Sequence, residues 1–218
     1  MPIVDVAFRL QGSEIPADHG YLLFAAVTDL VPGLHEDESV GILPVSGRLA
    51  GDRQLSITEF SRLTIRLDAD RIAQVLPLAG KRLRLGDAAL SVGVPEVRAL
   101  VPAARLYSRL VVIKGFMEPE PFLGAVQRQL DTLGVKGKAS LVPQPAVAAT
   151  NAESATGSHS PVLRRTLRIR DKEIVGFALR VEELNAEESI RLQEHGIGGR
   201  RRFGCGVFIP DKRERGEK

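Results

Sequence analysis

Gly196-Ile-Gly-Gly-Arg-Arg-Arg-Phe-Gly-Cys-Gly206, running into Val207-Phe-Ile-Pro210, is the stretch that decides how this chain is read. Five glycines and three arginines stand before a short β-like run. Glycine permits positive φ and close approach of the backbone to a partner, and the guanidinium fork suits phosphate. The run lacks the Gly-Lys-Ser/Thr end of a phosphate loop, and it enters a strand rather than a helix. A dinucleotide fingerprint needs strand, glycines, then helix, which is also the wrong order. What remains is a loop lying along a nucleic-acid backbone, or a tight turn. Arginines do not cluster inside a turn for packing reasons, so the first reading is adopted. It assigns Gly198, Gly199, Arg200, Arg201 and Arg202 to backbone contact. Phe203 and Cys205 are expected to pack inward.

The charge of the chain points the same way. The net charge is only +3, yet Gly196 to Lys218 carries seven Lys/Arg against three acids and Val162 to Arg180 six against two. Each segment is therefore +4, and the rest of the chain sums to −5. Such concentration is the footprint of an anion-binding face. For the last eight residues a solubilising tail is the preferred reading. Within the second segment, Arg164, Arg168 and Arg170 fall on one strand face by period two, with Arg165 opposite, a row able to track phosphates. Aromatic residues are 5% of the chain and tryptophan is absent, which argues against recognition dominated by base stacking.

Outward from the loop, the order of elements repeats. Pro2 to Leu10 alternates as a strand, with Val4, Val6, Phe8 and Leu10 on one face. A helix follows from His19, with Asp18 as its N-cap and Pro32-Gly33 as its stop. Val40 to Leu49 and Leu63 to Leu67 read as strands, Asp68 to Leu76 as a helix, and Lys81 to Val101 as one or two strands. The second half gives a strand (Leu106 to Phe116), a helix opening at Glu120-Pro121, and a short strand (Lys138 to Val142). A hairpin turning at Asp171-Lys172 comes next, then a helix from Asn185 to Glu194 and a last strand, Gly206 to Ile209. The reading is α+β: tandem ferredoxin-like (RRM-like) β-α-β-β-α-β units with antiparallel sheets, over 1–101 and 102–218. Residues 143–161, rich in Ala, Ser, Thr and Pro, read as a mobile insert.

The chemistry-bearing residues are few. The N-terminus MPIVDVAFRL is no signal peptide and no apolar run is long enough for a membrane span, so a cytoplasmic protein is expected. One cysteine excludes an internal disulfide framework, and four dispersed histidines do not argue for a metal site. His159 lies in the insert. His195 precedes the glycine loop, where it caps the preceding helix or touches phosphate. His19 opens the first helix, where a structural hydrogen bond is the usual role. His35 follows the Pro-Gly stop, in the loop Leu34-His35-Glu36-Asp37-Glu38, with carboxylates near enough to orient it.

Taken together, these features resemble the CRISPR-associated repeat-processing endoribonucleases of the RAMP superfamily, with greatest likeness to the compact Myxan-type members. The tandem order, the glycine-rich loop 196–206 and the passage Ile15 to Phe24 followed by Leu34-His35-Glu36 carry the resemblance. It implies cleavage of precursor CRISPR RNA at its repeat stem-loops, without metal or cofactor. The 2′-OH attacks the neighbouring phosphate to leave a 2′,3′-cyclic phosphate and a 5′-OH. It further implies a histidine as general acid or base; His35 matches the usual place, and His19 is the second candidate. The chain departs from some relatives: no lysine follows His35 in the next dozen residues, and Thr28 stands where some have tyrosine. Other CRISPR effector subunits are possible partners. The alternative reading is a non-catalytic RAMP-type subunit that binds guide RNA.

Overall fold

The structure, a computed structural model, describes residues 1–144 and 162–211. The tail cations Lys212, Arg213, Arg215 and Lys218, His159 and most of the expected insert lie outside the described residues. The chain divides into two compact units. The first comprises Met1–Leu100, Leu167–Glu173 and Arg200–Gly204; the second comprises Val101–Thr166, Ile174–Gly199 and Cys205 onward.

In the first unit the chain order is β1 (Ile3–Gln11), β2 (Glu14–Pro16), α1 (Gly20–Leu30), β3 (Gly41–Leu43), β4 (Arg48–Leu49), β5 (Gln54–Ser56), β6 (Arg62–Asp68), α2 (Ile72–Val75), β7 (Arg82–Leu85) and β8 (Ala88–Ala99). The main sheet runs β3-β6-β1-β8-β7, which is the ferredoxin-like order with β7 added at one edge. All its pairings are antiparallel. Alternation along β1 has the expected consequence. Val4 pairs with Leu67, Val6 with Ile65 and Phe8 with Leu63, and these residues join the apolar core. Leu23, Phe24 and Val27 of α1 close that core from the helical side.

Three expectations shift here, each for a local reason. The strand expected over Val40 to Leu49 is two strands in different sheets, because Pro44 has no N–H for the ladder. Arg48–Leu49 instead joins β5 and β2 in a small sheet, β2-β5-β4. The helix expected from Asp68 to Leu76 keeps only the four α-helical residues of α2, between 3-10 turns at Ala69–Arg71 and Leu76–Leu78. Pro77 cannot donate the bond a longer helix needs. Asp18 does not cap α1; its carboxylate accepts the Arg168 N–H at 2.9 Å, and the N-cap position is His19.

In the second unit come β9 (Leu106–Val111), α3 (Pro119–Thr132), β10 (Lys138–Leu141), β11 (Arg164–Ile169), β12 (Lys172–Glu182), α4 (Ala186–His195) and β13 (Ile209–Pro210). β11 runs from this unit into residues assigned to the first. The sheet order is β10-β12-β9-β13, again ferredoxin-like, with β11 beside β12. Pro119 opens α3 at a position whose N–H needs no partner, and Phe122, Val126 and Leu130 are fully buried. A capping box between Asn185 and Glu188 starts α4. The expected last strand contracts to Ile209–Pro210, pairing with Tyr107 and Leu106. Both units are thus ferredoxin-like. No helix among the described residues is long and apolar enough to cross a membrane.

Candidate active site

The first unit gathers most of the singled-out residues around α1. His19, at its start, is 1% exposed. Its Nδ1 lies 2.9 Å from the Pro16 carbonyl, and Nε2 accepts the Val45 N–H at 2.9 Å. Those partners dictate the neutral tautomer protonated on Nδ1. The ring ties the end of β2, the start of α1 and the chain after β3 together. Both nitrogens are spent on this, so His19 has no ring atom to offer a substrate without breaking the fold locally.

His35 is arranged differently. A 3-10 turn at Pro32–Leu34 follows α1, and His35 ends it with its N–H on the Pro32 carbonyl. The residue is exposed. Its ring tilts at 41° to that of Phe24, with centroids 5.4 Å apart, and its main-chain carbonyl accepts a hydrogen bond from Arg202 Nη1. Beyond it, Asp37 accepts bonds from the Ser39 N–H and hydroxyl and pairs with Arg71. Burial works to raise the Asp37 pKa, but these bonds outweigh it and hold the carboxyl below the usual range. The loop is therefore fastened on both sides of His35. Thr28 turns its hydroxyl back to the Phe24 and Ala25 carbonyls, as a threonine inside a helix commonly does.

The arginine segment sits against the same helix. Arg200 and Gly204, at φ of 68° and 80°, bracket the turn Arg201–Phe203, which packs on α1 and β3. Two glycines permit this seat. A Cβ on Gly20 would stand 2.6 Å from the Phe203 carbonyl, and one on Gly204 2.8 Å from the Pro44 ring. Phe203 meets Phe24 edge to face at 4.6 Å and Tyr21 at 6.1 Å. Arg202 lies 5.6 Å from the Phe24 centroid and 5.9 Å from that of Phe203. Arg201 is half-buried. Burial, and then the charge of Arg66, push its pKa down to about 10. Arg66 is itself buried and forms a bidentate pair with Asp5 at 2.7 and 2.9 Å.

The hairpin tip contributes Arg168 and Arg170, both exposed. The turn falls at Arg170-Asp171, one residue earlier than expected, with Arg170 at φ 53°. Arg170 consequently leaves the strand row, which keeps Arg164 and Arg168. Its Nε reaches the Tyr21 hydroxyl at 3.4 Å.

Two expected contacts belong to the second unit and do different work. The N–H groups of Gly198 and Gly199 are donated to Gln129 Oε1 at 2.8 Å and the Val112 carbonyl at 3.0 Å, so neither is presented to a ligand. Arg164 is exposed, beside Glu118 at 3.2 Å and 5.6 Å from the Phe177 ring centroid. Cys205 is fully buried, as expected of a small hydrophobe. Among the described residues no three His, Cys, Asp or Glu side chains gather as a metal site would need. Nothing in the sequence marks Phe24 as the ring shared by His35 and Arg202, Tyr21 as the neighbour of Phe203 and Arg170, nor the Arg66–Arg201 neighbourhood. Each depends on strands and turns far apart in the chain.

Two successive ferredoxin-like units, with a loop histidine and an arginine turn on the first helix, define a protein of the tandem ferredoxin-like class. Residues 4–213 match the family described as Cas6 Crispr. The chain is 37% identical over 213 residues to the CRISPR-associated endonuclease Cas6 of Myxococcus xanthus strain DK1622, covering 98% of this chain and 84% of that protein. A Cas6-related protein from Pyrococcus furiosus shares the fold with a TM-score of 0.66 at 13% identity, covering 97% of this chain and all of the other. An RAMP protein that binds different RNA substrates does so with a TM-score of 0.62 at 12% identity, over 96% and 100%. The chain belongs to the Cas6 family of CRISPR-associated endonucleases.

Proposed function

We propose that this protein cuts precursor CRISPR RNA within its repeats, without a metal, and that His35 is its general acid or base. The observation that supports this choice of residue is the contrast between the two histidines flanking α1. His19 is buried with both ring nitrogens bonded to backbone, whereas His35 is exposed on a fastened loop. In the proposed reaction the 2′-OH loses its proton and attacks the adjacent phosphorus. The P–O5′ bond breaks and the departing oxygen takes a proton. The products carry a 2′,3′-cyclic phosphate and a 5′-OH. The nucleophile belongs to the RNA, so the chemistry asks the protein for proton transfer and charge stabilisation. Imidazole supplies the first, since a ring nitrogen can both take and give a proton. Arg200, the exposed arginine of the same turn, is the candidate for the second.

Affinity in this reading comes from the exposed cations Arg164, Arg168, Arg170 and Arg200, tracking the backbone of a repeat stem-loop. The half-buried Arg201 adds positive potential behind them. The processed RNA would then pass to other CRISPR effector subunits.

The test is incubation of the host's repeat RNA with wild type and His35→Ala in EDTA, mapping the cut and its end groups. Wild type should cut, leaving a cyclic phosphate. His35→Ala should bind RNA as well as wild type but cut about 10²–10⁴-fold more slowly. Undiminished cutting by His35→Ala would remove the catalytic assignment. Binding without any cutting by wild type would replace the whole reading with that of a guide-RNA-binding subunit.

A further inference from the structure

We infer that Arg202 is a positioning residue for His35, its guanidinium committed to the histidine loop rather than to an RNA phosphate. The inference rests on the proposed role of His35. The three consecutive arginines are not equivalent. Arg200 is exposed, with its backbone in the left-handed region, while Arg202 is half-buried and folds back over α1. Its Nη1 donates to the main-chain carbonyl of His35, and its guanidinium is flanked by the rings of Phe24 and Phe203. Phe24 also carries the imidazole of His35. One phenyl ring thus bears both the histidine ring and the cation that holds the histidine's backbone.

The arrangement removes freedom where the reaction is sensitive to it. His35 follows a turn only three residues long, and its own side chain has one aromatic neighbour to rest on. Without the bond from Arg202, the carbonyl of His35 is released on that side, and the fastenings left are its own N–H on the Pro32 carbonyl and Asp37 with Arg71 and Ser39, two residues on. A displacement of about 1 Å at a proton-transfer group is enough to cost about 10²-fold in rate. A planar guanidinium flanked by two rings resists such displacement better than an ammonium does.

Arg202→Met and Arg202→Lys distinguish positioning from phosphate binding. For Arg202→Met, single-turnover cleavage of repeat RNA at saturating protein should slow about 10²-fold, while affinity and its salt slope stay at the wild-type values. For Arg202→Lys, the rate should fall about tenfold at unchanged affinity, because the charge remains but the planar fork is gone. The double variant His35→Ala/Arg202→Met should cut no more slowly than His35→Ala alone, since Arg202 acts only through His35. A full rate in either Arg202 variant overturns the inference. So does a salt slope flattened by about 0.7–0.9 in Arg202→Met, which marks a phosphate that wild-type Arg202 neutralises. A further multiplicative slowing in the double variant also overturns it. If Arg202→Met fails to fold, Arg202→Lys decides alone, because a phosphate-binding role survives replacement by lysine and a positioning role does not. A fully active His35→Ala brings down the reading of His35 itself. An impaired His35→Ala beside a fully active Arg202→Met brings down this inference alone.

Discussion

Replacing Arg201 by methionine should make the protein more stable and a weaker RNA binder. The guanidinium is half-buried near that of Arg66, and burial together with this like charge lowers its pKa from the ordinary guanidinium range to about 10. A drop of that size corresponds to at most about 3 kcal/mol held against the folded state at neutral pH. Part of the side chain is wetted and salt screens the repulsion, so about 1–2 kcal/mol is the expected cost. Methionine keeps much of the apolar stem and removes the charge. Arg66 retains its bidentate partner, Asp5, so its charge is not orphaned by the change. In a protein of this size 1 kcal/mol moves the melting temperature by about 2–4 °C, which predicts a gain of about 2–8 °C. The sign follows from linkage. Arg201's folded-state pKa lies below its unfolded value, so from about pH 10 up to that unfolded value the folded chain binds fewer protons and stability rises with pH. The cost is fully present at pH 7, where thermal unfolding of wild type and Arg201→Met should be compared. A lower melting temperature for Arg201→Met would falsify the argument, because the guanidinium would then return more through its contacts than burial removes.

Two further outcomes are expected. His19→Ala leaves the Pro16 carbonyl and the Val45 N–H without their bonds and opens a hole at the foot of α1. It should lose about 2–5 kcal/mol, seen as a melting temperature lower by about 4–20 °C, while the molecules that remain folded still cut RNA. An unchanged melting temperature with abolished cutting would reverse the roles given to His19 and His35. Changing Arg168, Arg170 and Arg200 together to glutamine should flatten the dependence of log affinity on log salt by about 2–3, at about 0.7–0.9 for each phosphate left without its cation. A slope equal to wild type would remove these cations from the RNA interface.

The doubled ferredoxin-like order is readable because its main elements carry their own periodicity. Val4, Val6, Phe8 and Leu10 alternate, and the same residues face the core in the structure. Phe122, Val126 and Leu130 recur at helical spacing, and all three are buried on α3. The misreadings fall where one residue overrides a pattern. Pro44 splits an apparently continuous strand, and Pro77 cuts a helical run into single turns. The turn of the β11–β12 hairpin falls one position early because Arg170, a residue with no special liking for positive φ, takes the left-handed place at 53°. The small sheet β2-β5-β4 has strands of two and three residues, too short to show any period.

The site is legible in its residue types but not in how they are used. In sequence, the glycines of 196–206 read as room for a ligand backbone. In the structure their freedom serves the protein itself: Gly198 and Gly199 bond to Gln129 and Val112, and Gly204 makes way for Pro44. A missing Cβ looks the same in sequence whether the neighbour is RNA or protein, and only long-range partners tell them apart. The same holds for the arginines. Arg200, Arg201 and Arg202 are adjacent and chemically identical, yet a left-handed residue followed by a 3-10 turn sends them to three environments. One is exposed, one is pressed beside Arg66, and one is folded over Phe24 onto the backbone of His35. A run of like charges therefore sets only the sign of the local field. The turn that carries it decides which charge is left exposed, which is buried beside a like charge, and which is bonded to the backbone of the histidine.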